Sequence, residues 1–169
     1  MFGRNPPVKR VYFDAQIALV VSQLAAQLST RGWRLALAES CTGGLIAAHC
    51  TALAGSSQWF EQGFVTYSNA SKTSLLGVPA DLIAQHGAVS EPVAAAMAQG
   101  ALLRSSAQIA ASVTGIAGPD GGSADKPVGM VCFGWAMGHK VITATQLFAG
   151  DRAAVRDQAV LHALRQMLT

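Results

Sequence analysis

The stretch "LAESCTGGLIAA", residues 37–48, joins two apolar patterns and decides how the chain folds. Residues 33–38 are typical of a short buried strand, and residues 45–53 are typical of a helix. Between them lie Glu39, Ser40, Cys41, Thr42 and a pair of glycines. Ligands of open α/β sheets bind beyond the carboxyl ends of strands. This strand–turn–helix unit therefore predicts an α/β fold with a ligand-binding or active site beside the turn.

Strands and helices alternate along the rest of the chain as well. We expect a first helix capped by Asp14 and ending at Gly32, further helices around Lys72, over 91–104 and from Asp151 onward, and strands over 64–67, 108–113, 128–137 and 140–148. The order α-β-α-β-α-α-β-β-β-α predicts a three-layer α/β/α sandwich with a mixed, mostly parallel sheet. Residues 14–169 are predicted to form a single domain, preceded by a flexible leader over residues 1–13.

Composition and charge exclude several classes of protein. Hydrophobic residues make up 51% of the 169 positions and charged residues 12%, which excludes disorder for most of the chain. Three of the 12 basic residues precede Asp14, which leaves nine basic residues against nine acidic ones in the body. A duplex-binding protein normally carries a basic face on its folded domain, so we expect no nucleic-acid partner.

The spacing of the cysteines and the length of the apolar runs limit which metal sites and which cellular locations we expect for the protein. The three cysteines lack CxxC spacing, which argues against a disulfide framework and a zinc site, so no metal is expected. Glutamines interrupt the best apolar run, and the amino terminus lacks the apolar core of a secretory signal. We therefore expect a cytoplasmic protein without a membrane partner.

The turn after the first strand admits two interpretations. The N–H groups around Thr42, Gly43 and Gly44 could bind a phosphate or stabilise an oxyanion beside Ser40, because the first N–H groups of a helix lack internal partners. Alternatively, Ser40 or Thr42 is only the helix cap and the glycines only permit the turn. Seen alone, this segment favours the cap.

A nucleophilic serine needs a base, and the segment "YSNASK" offers one. Lys72 is the only lysine between residues 10 and 126, and it follows Tyr67 by five positions. A lysine that is desolvated in a pocket can lose its proton near neutral pH and act as a base, with Tyr67 relaying a proton or holding the nucleophile. Taken alone, Lys72 is more simply a solvated surface residue.

Two further segments offer groups for binding a substrate. The glycine-rich stretch 114–129 begins with the hydroxyl of Thr114, and the backbone at Gly115 and Gly118 could approach a ligand; a chain of tight turns is the alternative. In "GDR", residues 150–152, Arg152 is suited to a phosphate or carboxylate. We expect Arg156, one turn later, to face solvent.

Several segments together resemble the CinA carboxy-terminal domain family over residues 35–168: "AESCTGG", "GSSQWFEQGFVTYSNASK", "HGAVSEPVA", "VTGIAGPDGGSADKPVG" and "GDRAAVRDQAV". The enzymatic members of that family are nicotinamide-nucleotide amidases. The resemblance implies a stand-alone homodimeric amidase without cofactors, which recycles pyridine nucleotides by hydrolysing nicotinamide mononucleotide to nicotinate mononucleotide and ammonia. It also implies a Ser–Lys–Tyr mechanism with Ser40 as nucleophile beside Tyr67 and Lys72.

The resemblance also assigns Thr114 and Arg152 to the substrate, and it leaves two alternatives open. The first is a non-catalytic module that binds a nucleotide or a protein partner. The second concerns Cys41, which is intrinsically a better nucleophile than Ser40. Successive residues at a strand end point in opposite directions, so we expect only one of the two side chains to face the pocket.

Overall fold

A computed structural model of the chain describes residues 8–168, and its elements follow the predicted alternation. The helices are α1 (Val8–Arg31), α2 (Leu45–Ala52), α3 (Asn69–Leu76), α4 (Ala80–His86), α5 (Glu91–Leu103) and α6 (Arg152–Arg165). The strands are β1 (Leu35–Glu39), β2 (Phe60–Val65), β3 (Ile109–Gly115), β4 (Met130–Met137) and β5 (Lys140–Leu147). Short 3₁₀ turns occupy Ser56–Gln58 and Gln166–Leu168.

Helix α1 begins earlier than the sequence predicts. It starts at Val8, six residues before Asp14, so the predicted cap at Asp14 is wrong, whereas the flexibility of the leader stays a prediction. The reason lies in the packing: Phe13, one turn before Ile17, packs against the same core and extends the apolar face of the helix. Residues 1–7 of the predicted leader lie outside the described residues.

Two other elements differ from their predictions. Strand β2 starts at Phe60 rather than at residue 64. It is an edge strand, and polar Glu61 and Gln62 interrupt the apolar pattern of its first half. Helix α4 has only seven residues and its apolar pattern is too short to be recognised. The predicted start of α6 is confirmed: the side chain of Asp151 accepts the N–H of Ala154 at 2.8 Å.

The five strands form one mixed sheet in the order β2-β1-β3-β4-β5. Strand β1 pairs in parallel with β2 and β3, whereas β4 is antiparallel to both β3 and β5. Four of the strands therefore run in one direction, and two of the four pairings are parallel. The register aligns Glu39 with Val65 on one side and with Val113 on the other. Ser40, Thr66 and Thr114 consequently follow aligned positions at one edge of the sheet.

Helices cover both faces of this sheet, which confirms the three-layer sandwich. The residues of β1 alternate between two cores: Leu35 and Leu37 pack with α1, α2 and α6, while Ala36 and Ala38 pack with α3, α4 and α5. Helix α5 lies close to the sheet because β4 carries Gly134, where an added Cβ would lie 2.6 Å from the carbonyl oxygen of Ala94. Within residues 8–168, no helix is long and apolar enough to cross a bilayer.

Candidate active site

Ser40 is the first residue after β1 and is held by main-chain bonds. Its N–H donates to the carbonyl of Val113 at 2.9 Å, and its own carbonyl accepts the N–H of Gly43 at 3.0 Å. The chain turns sharply there because Gly43 and Gly44 adopt φ angles of 60° and 93°, which favour glycine. The Ser40 side chain is 8% exposed.

A cavity of about 210 Å³ opens beside Ser40. Six of the ten residues that sequence reasoning assigned to the site line this cavity: Ser40, Tyr67, Lys72, Thr114, Gly115 and Arg152. The other four, Thr42, Gly43, Gly44 and Gly118, do not line it. Asn69, Ala88, Val89 and Ala117 complete most of the wall. The structure thus brings together residues from segments that are far apart in the sequence.

Helix α3 carries Lys72 into this cavity. A capping box fixes the start of the helix, since the Ser68 side chain accepts the N–H of Ser71 and the Ser71 side chain accepts the N–H of Ser68. Lys72 is only 1% exposed, so it is not the solvated lysine of the simpler interpretation. Its Nζ donates to the carbonyl of Thr66 at 2.8 Å and to Oγ of Ser40 at 3.0 Å.

Burial lowers the pKa of Lys72 from its ordinary value of 10.5. Among the described residues, no ion pair involves this amine. A buried ammonium without an acidic partner is costly, so the neutral form is favoured. A neutral amine can keep its N–H donated to Thr66 and present its lone pair to the hydroxyl of Ser40.

The neighbouring Cys41 is also among the residues that line the cavity, and it is buried in the core that α1, α2 and α6 form with the sheet. Burial raises the pKa of the Cys41 thiol to about 12. The thiolate is the reactive form of cysteine, and this thiol stays protonated near neutral pH.

Glu39 determines how helix α2 begins, a role that the sequence analysis missed. Its buried carboxylate accepts the N–H groups of Gly44, Ile46 and Ala47 at 2.9–3.1 Å. A carboxylate at this end of a helix is favourable because the helix dipole is positive there. An acidic residue directly before a turn into a helix is the signal that could have revealed it.

This arrangement contradicts the side-chain cap and leaves one of the three predicted N–H donors without a partner within residues 8–168. The N–H of Gly43 is donated to Ser40 and that of Gly44 to Glu39, so the prediction that they point at a ligand is wrong. The helix cap is Gly44, which rules out Ser40 and Thr42 as side-chain caps. Within residues 8–168, the N–H of Thr42 has no hydrogen-bond partner, and its buried hydroxyl has none either.

Tyr67 and Arg152 form the exposed rim of the cavity. Tyr67 is 62% exposed, and its hydroxyl accepts a hydrogen bond from the Arg152 guanidinium at 3.2 Å. In the described part of the chain, this hydroxyl is bonded neither to Ser40 nor to Lys72. The second NH₂ group of Arg152 donates to the carbonyl of Gly118 at 2.8 Å. The guanidinium therefore connects two sides of the cavity opening.

The remaining predicted binding residues have structural partners. The Thr114 hydroxyl donates its proton to the carbonyl of Ala88 at 2.9 Å and therefore does not donate it to a ligand in this arrangement. Gly115 is required by packing, because an added Cβ would lie 2.7 Å from the Val131 side chain. Gly118, with a φ of 83°, presents its carbonyl to Arg152.

Arg156 does not face solvent as expected. It is half-buried, and its guanidinium donates to the carbonyl of Thr42 at 2.8 Å, which fixes the turn after Ser40. Among residues 8–168, no group of three or more His, Cys, Asp or Glu is placed to hold a metal ion.

Comparison with known proteins gives consistent results. The sequence profile of the CinA C-terminal domain matches residues 18–169. A protein of Enterobacter agglomerans named nicotinamide-nucleotide amidohydrolase PncC is 56% identical over 147 residues, which cover 86% of this chain and 90% of that one. A protein of the same name from Escherichia coli K12 is 50% identical over 91% of this chain and 94% of that one.

The fold has close counterparts among solved structures. The crystal structure of the competence/damage inducible protein CihA from Agrobacterium tumefaciens superposes with a TM-score of 0.88 at 38% identity. The superposition covers 98% of this chain and 96% of that one. The α/β fold and the sequence similarity therefore lead to the same group of proteins.

Proposed function

The chain belongs to the CinA C-terminal domain family and is an amidase, and we propose that it hydrolyses the carboxamide of nicotinamide mononucleotide. The products are nicotinate mononucleotide and ammonia. Two proteins that are 50% and 56% identical carry the name of this activity. The observation that carries the proposal is the 3.0 Å contact between Ser40 and the buried, desolvated amine of Lys72.

A carboxamide is a poor electrophile, so the nucleophile must be activated. Neutral Lys72 takes the proton of Ser40 as the serine oxygen attacks the amide carbon. The resulting ammonium then gives a proton to the departing nitrogen, the C–N bond breaks, and ammonia leaves an ester on Ser40. Lys72 next removes a proton from water, which attacks that ester; the Lys72 ammonium then returns the proton to the serine oxygen as the C–O bond breaks, which releases the acid and the free serine.

The oxyanion formed during both steps requires a donor. Of the three N–H groups predicted for this role, that of Thr42 alone lacks a partner within the described residues, so we retain it as the candidate. Arg152 and Tyr67 lie at the rim, where the guanidinium and the phenol could meet the phosphate and ribose. We assign Thr114 and Gly115 to the cavity wall around the nicotinamide ring of the substrate.

An ammonia-release assay on nicotinamide mononucleotide tests the proposal, with nicotinamide and the dinucleotide measured in parallel. Ser40→Ala should abolish release, while the control Ser74→Ala, an exposed serine on the helix that carries Lys72, should keep it. Activity should survive a metal chelator. Nucleotide binding without ammonia release by the wild-type protein would instead support the non-catalytic binding module.

The family resemblance also supports a role in pyridine nucleotide recycling, a cytoplasmic location and a homodimer. Light scattering tests the last point, because a dimer of this 17.5 kDa chain has twice that mass. A mass of one chain at micromolar concentration would contradict it.

A further inference from the structure

Lys126 makes two hydrogen bonds to main-chain carbonyls of a distant segment of the chain. It lies in the long connection between β3 and β4, residues 116–129, and is half-buried. Its Nζ donates to the carbonyl of His86 at 2.6 Å and to the carbonyl of Val89 at 2.7 Å. A single ammonium thus joins the long connection to the segment between α4 and α5.

The segment that Lys126 holds is one wall of the cavity. Ala88 and Val89 line the cavity directly, and both are half-buried. The Thr114 hydroxyl, at the end of β3, donates to the carbonyl of Ala88 at 2.9 Å. The wall is therefore fixed by Thr114 from the sheet and by Lys126 from the long connection. We call Ala88 and Val89, the two residues of this segment that line the cavity, the apolar wall.

The long connection is held on the other side of the cavity as well. Arg152 donates to the carbonyl of Gly118 at 2.8 Å and to the Tyr67 hydroxyl at 3.2 Å. Two cationic side chains thus fix the same connection, Arg152 through Gly118 and Lys126 through His86 and Val89. The Arg152 contact lies at the polar rim, whereas the Lys126 contact lies behind the apolar wall.

We propose that Lys126 is a positioning residue that sets the place of the apolar wall, against which the flat ring of the substrate packs. The proposal rests on the proposed function. Ala88, Val89 and Ala117 provide aliphatic side chains in the cavity lining, and a planar aromatic ring is bound by such surfaces. Lys126 itself is not among the lining residues, so it acts through the wall.

Loss of the Lys126 ammonium should affect binding and leave the chemical step unchanged. The bond to His86 is exposed and the one to Val89 is half-buried, so water can replace the ammonium at these carbonyls and the fold should persist. Ser40 and Lys72 make no contact with the apolar wall through hydrogen bonds. A looser wall should therefore raise KM, while the Ser40–Lys72 pair keeps its geometry.

Steady-state ammonia release by Lys126→Met, Lys126→Arg and Lys140→Met tests this inference. Lys140 is an exposed lysine that opens β5, away from the cavity, and serves as the matched control. We expect Lys126→Met to raise KM about tenfold, equivalent to about 1.4 kcal/mol of binding. Its kcat should stay within about twofold of wild type. Lys126→Arg, which keeps a cationic donor, should restore most of the affinity.

Hydrogen exchange provides a second readout that does not depend on activity. The amides of residues 86–90 should exchange faster in Lys126→Met than in wild type or Lys140→Met, because the wall opens more often. An unchanged KM in Lys126→Met, or an equal fall in kcat and kcat/KM, would overturn the proposal. If the wild-type protein released no ammonia, the proposed function would fail, and unchanged exchange at the wall would separately refute the role of Lys126.

Discussion

The buried amine of Lys72 should make stability depend on pH in a way that a methionine of similar size would not. Burial lowers the pKa of this group below 10.5, its ordinary value. As pH falls through about 10.5, the unfolded chain takes up a proton at this position, while the folded protein does not until its own lower pKa is reached. Over that interval, wild type should lose stability relative to Lys72→Met.

The size of the effect follows from the proton count alone. Between the unfolded and folded pKa values the unfolded state binds one proton more, so the free energy of unfolding falls by about 1.4 kcal/mol for each pH unit. Below the folded pKa both states are protonated and the difference from Lys72→Met becomes constant. The pH at which this plateau begins should match the pH below which wild-type kcat declines, since both report the protonation of Lys72.

Urea unfolding at a series of pH values measures this difference directly, with tryptophan fluorescence as the probe. Lys140→Met is the control, and its difference from wild type should vary far less with pH because that side chain is exposed. Lys72→Met should also lose about 10²–10⁴-fold in kcat through removal of the base. A wild-type curve parallel to that of Lys72→Met throughout would show that the folded amine keeps its proton, and the assignment of Lys72 as the base would be wrong.

Three further predictions concern neighbouring residues. Cys41→Ala should keep ammonia release within a few-fold of wild type, because burial raises the thiol pKa to about 12; loss of activity in a folded variant would make Cys41 the nucleophile. Glu39→Ala should lower the free energy of unfolding by about 3 kcal/mol, measured in urea, since one buried and two half-buried N–H groups lose a charged acceptor. Tyr67→Phe should raise KM more than it lowers kcat, as its hydroxyl meets Arg152; a large fall in kcat alone would place the phenol in the proton transfer.

Sequence reasoning could identify the parts of the site that follow from local patterns. The strand–turn–helix around Ser40 is visible as a change of apolar period, and the aligned strand ends follow from the rule for parallel sheets. The buried state of Lys72 could not be read from its own segment, which is polar on both sides. The capping box at Ser68 fixes the start of α3, and Lys72 in the following turn contacts Ser40 at the end of β1.

The errors have a common physical cause. The apolar pattern presents the N–H groups of Gly43 and Gly44 as free, whereas the Ser40 carbonyl and the Glu39 carboxylate, both within the same short motif, accept them. Helical spacing places Arg156 in solvent, yet this long side chain reaches from α6 to the carbonyl of Thr42 in the turn after β1. Both errors concern side chains that satisfy the main chain, and such contacts leave no periodic signal in a sequence.

The hydrogen bonds of the main chain at Ser40 and Lys72 have a consequence for how this site withstands mutation. The N–H of Ser40 is held by the carbonyl of Val113, and the amine of Lys72 is oriented by the carbonyl of Thr66. Any amino acid at positions 66 and 113 supplies the same oxygen atom. Substitutions at these two supporting positions should therefore leave the orientation of Ser40 and Lys72 unchanged, whereas the proposed reaction depends on the side chains of Ser40 and Lys72 themselves.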